Sequence, residues 1–135
     1  FEDGVDFING DYSICVDEEH MRNVLNHYHF SHLITTLRNS ISASDNGWSG
    51  AVCTPDDYYK GRDYMLHIVD RVGGGDSFAS GFLHGILSDM GSRKSLEFGL
   101  ASAAIKHTIP GDLNYINESE VLAMIESDGA GRVQR

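Results

Sequence analysis

Hydrophobic and polar positions along the chain follow two periods in turn. Met21, Val24, Leu25 and Tyr28 recur at helical spacing, which predicts a helix from Glu18 to about Tyr28. Asp17 suits its N-cap, and acidic residues suit the positive end of the helix dipole. Before it, Val5–Ile8 and Ser13–Val16 are short apolar runs around the polar turn Asn9-Gly10-Asp11. The period then shortens. His32 to Arg38 and Trp48 to Thr54 read as strands, with a turn-like Asn39–Gly47 between them and Pro55-Asp56-Asp57 as a breaker. Tyr64 to Val69 reads as a third strand.

The second half returns to helical spacing. Phe78, Phe82, Leu83, Ile86, Leu87 and Met90 form an amphipathic stripe, and Gly91 is a natural stop. A second helix is expected from about Arg93 to Thr108, ended by Pro110-Gly111. Asn117 with Glu120 resembles a capping box opening a last helix through Val121, Leu122 and Ile125. Residues 129–135 read as a frayed tail. In outline this is α/β. The early helix permits a parallel crossover, while the middle strands are close enough for hairpins.

Composition narrows the function classes. The chain has 135 residues, 41% hydrophobic and 22% charged, which is one domain's worth of ordinary globular sequence. No apolar run approaches the roughly 20 residues of a membrane helix. A formal charge of −10 repels a phosphate backbone, so no nucleic-acid partner is expected. Any anion must therefore be held by a local device. Cys15 and Cys53 form no CxxC pair, and such sparse cysteines suit a reduced, cytoplasmic protein. His20, His27, His29 and His32 show no metal-ligand spacing and read as surface residues. The chain opens on Phe1 and its first methionine is Met21, so either something was removed upstream or part of a longer chain is shown.

The most informative stretch is Ile68-Val69-Asp70-Arg71-Val72-Gly73-Gly74-Gly75-Asp76-Ser77-Phe78. A strand ends, three glycines follow, and a helix begins. Glycine amides can approach a ligand with no Cβ in the way. A helix N-terminus adds unpaired N–H donors and positive partial charge. Together they suit phosphate. Asp76 stands at the mouth, where a carboxylate can accept the proton of an attacking hydroxyl. The alternative is a tight turn that Asp76 merely caps. The segment is neither a Walker A loop nor GxGxxG.

The run DRVGGGDSFASGFLHGIL resembles the C-terminal signature of the ribokinase-like, or PfkB, carbohydrate kinases. TLRNSISASDNGWSGAV, HIVDRVGGGDSF and IKHTIPGD are most similar to the 2-keto-3-deoxygluconate kinases of that family. The resemblance implies the C-terminal part of a three-layer α/β/α sandwich, with residues 1–135 an incomplete kinase domain lacking the N-terminal half and lid. It implies ATP and Mg²⁺ as cofactors and a sugar acid as acceptor. The amides of Gly73, Gly74, Gly75 and Asp76 would form the anion hole, and Asp76 would be the catalytic base. Thr36, Arg38 and Ser42 lie in the segment that lines the nucleotide in relatives, though Arg38 and Ile41 stand where many relatives have glycine. Asp112 matches a substrate-binding carboxylate. Asp70 matches a residue near a monovalent-cation site in some relatives, with Arg71 replacing a common Thr or Pro.

Three of these residues also have plain readings: Arg38 as a strand-end surface residue, Asp112 as a turn residue, Asp70 as an Asx turn. The expectation for the segment alone is little or no kinase activity, because catalysis needs both reactants held together. Exposed sheet edges would favour self-association. The alternatives to a sugar-acid kinase are a non-catalytic nucleotide- or phosphate-binding fragment and a PfkB kinase for ribose or fructose.

Overall fold

A computed structural model of the chain describes residues 13–42, 44–127 and 132–133. The expected turn at Asn9–Asp11 lies outside the described residues. The short apolar run Ser13–Val16 forms a 3-10 helix. Helix α1 spans Glu18–Tyr28 as the pattern predicts. Asp17 caps it by accepting the His20 N–H at 3.0 Å, and Met21 and Leu25 are its buried positions.

The strands are β1 (Leu33–Ser40), β2 (Asp45–Cys53), β3 (Tyr58–Lys60) and β4 (Tyr64–His67). β1 and β2 extend further toward each other than the pattern suggests, leaving a tight turn where a long one was expected. Ser42 builds that turn: its hydroxyl donates to Asp45 Oδ2 at 2.9 Å and accepts the Asp45 N–H at 2.9 Å. β2 is central. It pairs antiparallel with β1 on one side and with β3 and β4 on the other. The described middle strands are thus joined as hairpins. The parallel pairing is β4 with β5 (Arg132–Val133), inside the segment read as a frayed tail.

Alternation along β2 separates two cores. Ala51 and Cys53 pack with Val16, Met21 and Leu25 beneath α1. Trp48 and Val52 face the opposite layer, made of α2 (Gly74–Leu87), α3 (Ser92–Lys106) and α4 (Glu118–Glu126). The sheet is therefore the middle of three layers, as the strand period dictates.

The helical layer departs from the expected stripe. Leu83 and Leu87 are exposed, at 57% and 84%. The buried face of α2 runs instead through Gly74, Ser77, Phe78, Gly81, Phe82 and Gly85. Glycine there permits close helix packing: a Cβ at Gly81 would stand 2.8 Å from Ser102 Oγ, and one at Gly85 would stand 2.6 Å from Ser95 Oγ. Phe78 and Phe82 are in the core and Ile86 and Met90 pack against it as expected, but a hydrophobicity count scores leucine above glycine and so adds two exposed leucines to that face. Gly91 does not end α2. Asp89 takes the left-handed turn at φ 55°, and Gly91 instead precedes α3. α3 is buried almost all round from Ser95 to Lys106. The capping box at Asn117 and Glu120 forms as expected.

Candidate functional site

β4 delivers the chain to the glycine turn at one end of the sheet. Gly73 holds φ 76°, which non-glycine residues adopt only with strain. That turn starts α2 directly, and no side chain caps the helix. The Ser77 N–H is taken by Gly73 O at 2.9 Å, and the Gly74 N–H makes a long 3.5 Å contact with Arg71 O. The amides of Gly75 and Asp76 lie in the first turn, where a helix supplies no acceptor of its own.

The three glycines differ in what a side chain would meet. A Cβ at Gly73 would come 3.1 Å from Asp112 O and 3.2 Å from Lys106 Cε. At Gly74 it would stand 2.5 Å from His107 Cε1. At Gly75 it would meet nothing within 4 Å. The protein's own packing thus explains the first two, while Gly75 faces a space open to a ligand. Asp76 is exposed beside that space.

A loop from the end of α3 closes one side. Asp70 accepts the Val72 N–H at 3.0 Å and the Gly111 N–H at 2.8 Å, bridging the strand end to that loop. These two bonds hold its carboxyl below the usual range, and the charge of Lys106 adds to the effect. The loop brings Asp112 to the glycine turn, its Oδ1 3.5 Å from the Cβ position at Gly73. Asn114 Nδ2 then donates to Ser77 Oγ at 2.8 Å, tying the same loop to α2.

Two residues that the sequence pattern did not single out lie beneath the turn. His107 is buried under Gly74, with Nδ1 at 2.6 Å from Ala103 O and its ring against Trp48. Burial lowers its pKa, opposed by the Ala103 contact and assisted by the charges of Arg38, Lys106 and Arg71. The imidazole is therefore favoured neutral. Lys106 is fully buried, and its ammonium donates to Gly111 O at 2.7 Å and Ile109 O at 3.2 Å. It thereby fills a carbonyl-lined space next to Asp70, the residue that the family resemblance sets near a monovalent-cation site in some relatives. The residues present do not fit a diffusible cation there.

The nucleotide-segment residues divide. Thr36 and Arg38 pair with Gly50 and Trp48, on the sheet face that carries α3. The register therefore sets Arg38 beside the Trp48–His107 contact. Ser42 lies at the same end of the sheet, since the Ile68 N–H donates to Ser44 O at 2.7 Å, but its hydroxyl is committed to its own turn.

Comparison with known proteins is consistent with this geometry. The model of the family described as pfkB family carbohydrate kinase matches residues 52–119. A 5-dehydro-2-deoxygluconokinase of Halalkalibacterium halodurans is 37% identical over 73 residues, covering 52% of this chain and 22% of that protein. A 2-dehydro-3-deoxygalactonokinase of Haloferax volcanii is 35% identical over 73 residues, covering 54% of this chain and 23% of the relative. The crystal structure of a 2-dehydro-3-deoxygluconokinase from Thermotoga maritima is 39% identical with a TM-score of 0.77, covering 80% of this chain and 33% of that one. The chain thus spans less than a quarter of these two curated relatives and a third of that solved structure.

Proposed function

The chain belongs to the pfkB family of carbohydrate kinases, and on that premise we propose that its glycine turn holds the phosphoryl group that ATP gives to a sugar-acid hydroxyl. The observation that carries this reading is Gly75. A Cβ there would touch nothing in the protein, yet the residue lies in the first turn of a helix that no side chain caps. Amides of Gly75 and Asp76 would donate to the γ-phosphate oxygens, with Gly73 and Gly74 shaping the turn. Oriented N–H groups and the helix dipole favour negative charge there without a basic side chain.

Asp76 is the proposed base. The acceptor hydroxyl oxygen bonds to the γ-phosphorus as the bond from that phosphorus to the bridging oxygen breaks. The hydroxyl proton passes to the Asp76 carboxylate, and ADP leaves with the electron pair. A weak base suffices because positioning and charge stabilisation dominate phosphoryl transfer. Arg38 and Thr36 would line the nucleotide side. Asp112, held at the turn by the Lys106–Asp70 loop, would accept hydrogen bonds from acceptor hydroxyls. Mg²⁺ would enter with the nucleotide, since it is usually held by phosphates, water and few carboxylates.

For the acceptor, the matched relatives are named for keto-deoxy hexonates. A keto-deoxy sugar acid, 2-keto-3-deoxygluconate being the first to assay, is therefore the proposed substrate of the whole protein. A second reading follows from the share of each relative that this chain covers. In it the segment binds phosphate or nucleotide but does not turn over alone. Asp76→Asn separates the roles. In full-length protein it should lower kcat by about 10²–10⁴-fold, the usual contribution of a positioned base, and leave ATP binding intact. Turnover that survives the substitution would remove Asp76 from the mechanism.

A further inference from the structure

Among the described residues, Lys106 is the fully buried member of the Lys, Arg, Asp and Glu set. A buried ammonium ordinarily pairs with a carboxylate, because desolvation is costly otherwise. Lys106 does not. Among the described residues no carboxylate lies within ion-pair distance of it. Its partners are two backbone carbonyls, Gly111 O at 2.7 Å and Ile109 O at 3.2 Å. Asp70 faces the same loop through the Gly111 N–H, near enough for Lys106 to favour its charged form. Carbonyl oxygens backed by one nearby carboxylate are the surroundings that a large monovalent cation takes, with carbonyls replacing its water.

We propose that Lys106 is a tethered monovalent cation: its ammonium occupies the position a potassium ion would fill, so the chain sets the 109–112 loop without a dissolved cation. The consequence is local. Gly111 O points at the ammonium and the Gly111 N–H at Asp70, so the peptide units on either side are fixed from both ends. Asp112 follows at once and is thereby placed against Gly73. An ion that must bind from solution would leave this loop partly unset at low potassium. A tethered ammonium removes that dependence. The bearing of the loop on catalysis rests on the kinase reading, but the cation exchange itself does not.

The test uses thermal melting of the chain without nucleotide, so it reads the cation position independently of any kinase activity. Wild type should melt at the same temperature in KCl and in choline chloride, compared at about 0.1 M so that screening is matched. Lys106→Ala should melt lower in choline chloride and regain at least half of that loss in KCl, because potassium can enter the vacated space. LiCl should restore little, since a small cation cannot span carbonyls spaced for an ammonium. Lys106→Met, which fills the space without charge, should melt lower and respond to none of the salts. A potassium-specific shift in wild type would overturn the proposal. So would an alanine variant that gains nothing from potassium over choline, including one that stays unfolded in both. Amide spectra of the alanine variant supply a second measure. Addition of KCl should return the Gly111 and Asp112 signals toward their wild-type positions, and no movement there contradicts the assignment.

Discussion

Adjacent glycines in the turn should respond in opposite directions to the same added methyl group. At Gly75 a Cβ meets nothing within 4 Å, and the residue lies inside α2. Replacing glycine by alanine there removes unfolded-chain entropy and favours helix, worth about 0.5–1 kcal/mol. For a chain of this length that is roughly 2–6 °C upward in melting temperature. At Gly74 the same Cβ lies 2.5 Å from His107 Cε1 and 2.8 Å from Nε2. The ring has no easy retreat, being held by Ala103 O and packed on Trp48. Overpacking of this kind costs about 1–3 kcal/mol, or roughly 4–15 °C downward. Phosphate binding should fall for Gly75→Ala, although that variant is the more stable one. The variant keeps its backbone N–H, but the new methyl projects into the open space and holds the phosphate off the amides; weakening charged hydrogen bonds worth about 1.5–3 kcal/mol lowers affinity by roughly 10–100-fold. Calorimetric melting with titration of ATP measures both effects on one sample. A Gly75→Ala chain that melts below wild type, or that binds ATP equally well, would refute the claim that this open space serves a ligand.

Other perturbations test separate parts. Asp76→Asn should leave the melting temperature within the scatter of surface substitutions, about ±0.5 kcal/mol, because the residue is exposed; a large loss would show a structural role instead. His107 is held below its ordinary range by burial, so the unfolded chain binds the extra proton first as pH falls. Stability should therefore decline below about pH 6.5, and urea titrations should show that decline removed in His107→Gln. Asp70 carries the usual acid-side dependence: its stabilisation is present above its ordinary pKa and is lost as pH falls through the lowered folded value. Asp70→Asn should flatten the acid limb below about pH 4 without altering the His107 window. Gly85→Ala should destabilise by about 1–3 kcal/mol, since Ser95 Oγ and Cα both lie under 3 Å from the new Cβ.

The local features were legible in the sequence because their causes are local. Capping at Asp17 and Asn117 depends on residues within one turn, and the glycine–aspartate segment marks a strand-to-helix join by itself. The strands were legible too, apart from β3, whose Tyr58–Lys60 is too short to show a period, and β5, whose two residues fall in the stretch read as a frayed tail. What escaped was tertiary. Lys106 and His107 sit in an ordinary helix end, and nothing in their spacing says that α3 is buried on all sides. The Leu83 and Leu87 positions look like core until Gly81 and Gly85 are seen to bring α3 closer than leucine allows. Arg38 was legible as an oddity in a segment expected to be glycine-rich. Its place beside His107 follows from strand register, which a single sequence does not state.

The central claim is that the start of α2 binds phosphate through its own amides. Backbone amide shifts of the ¹⁵N-labelled chain, followed during titration with ATP, test it most directly. The account predicts saturable movement of the Gly75 and Asp76 signals first, with Gly73, Gly74 and Asp112 responding alongside, and the same pattern in Asp76→Asn. Saturable binding that moves other residues while these amides stay still, or no binding at any concentration in a folded chain, would contradict it.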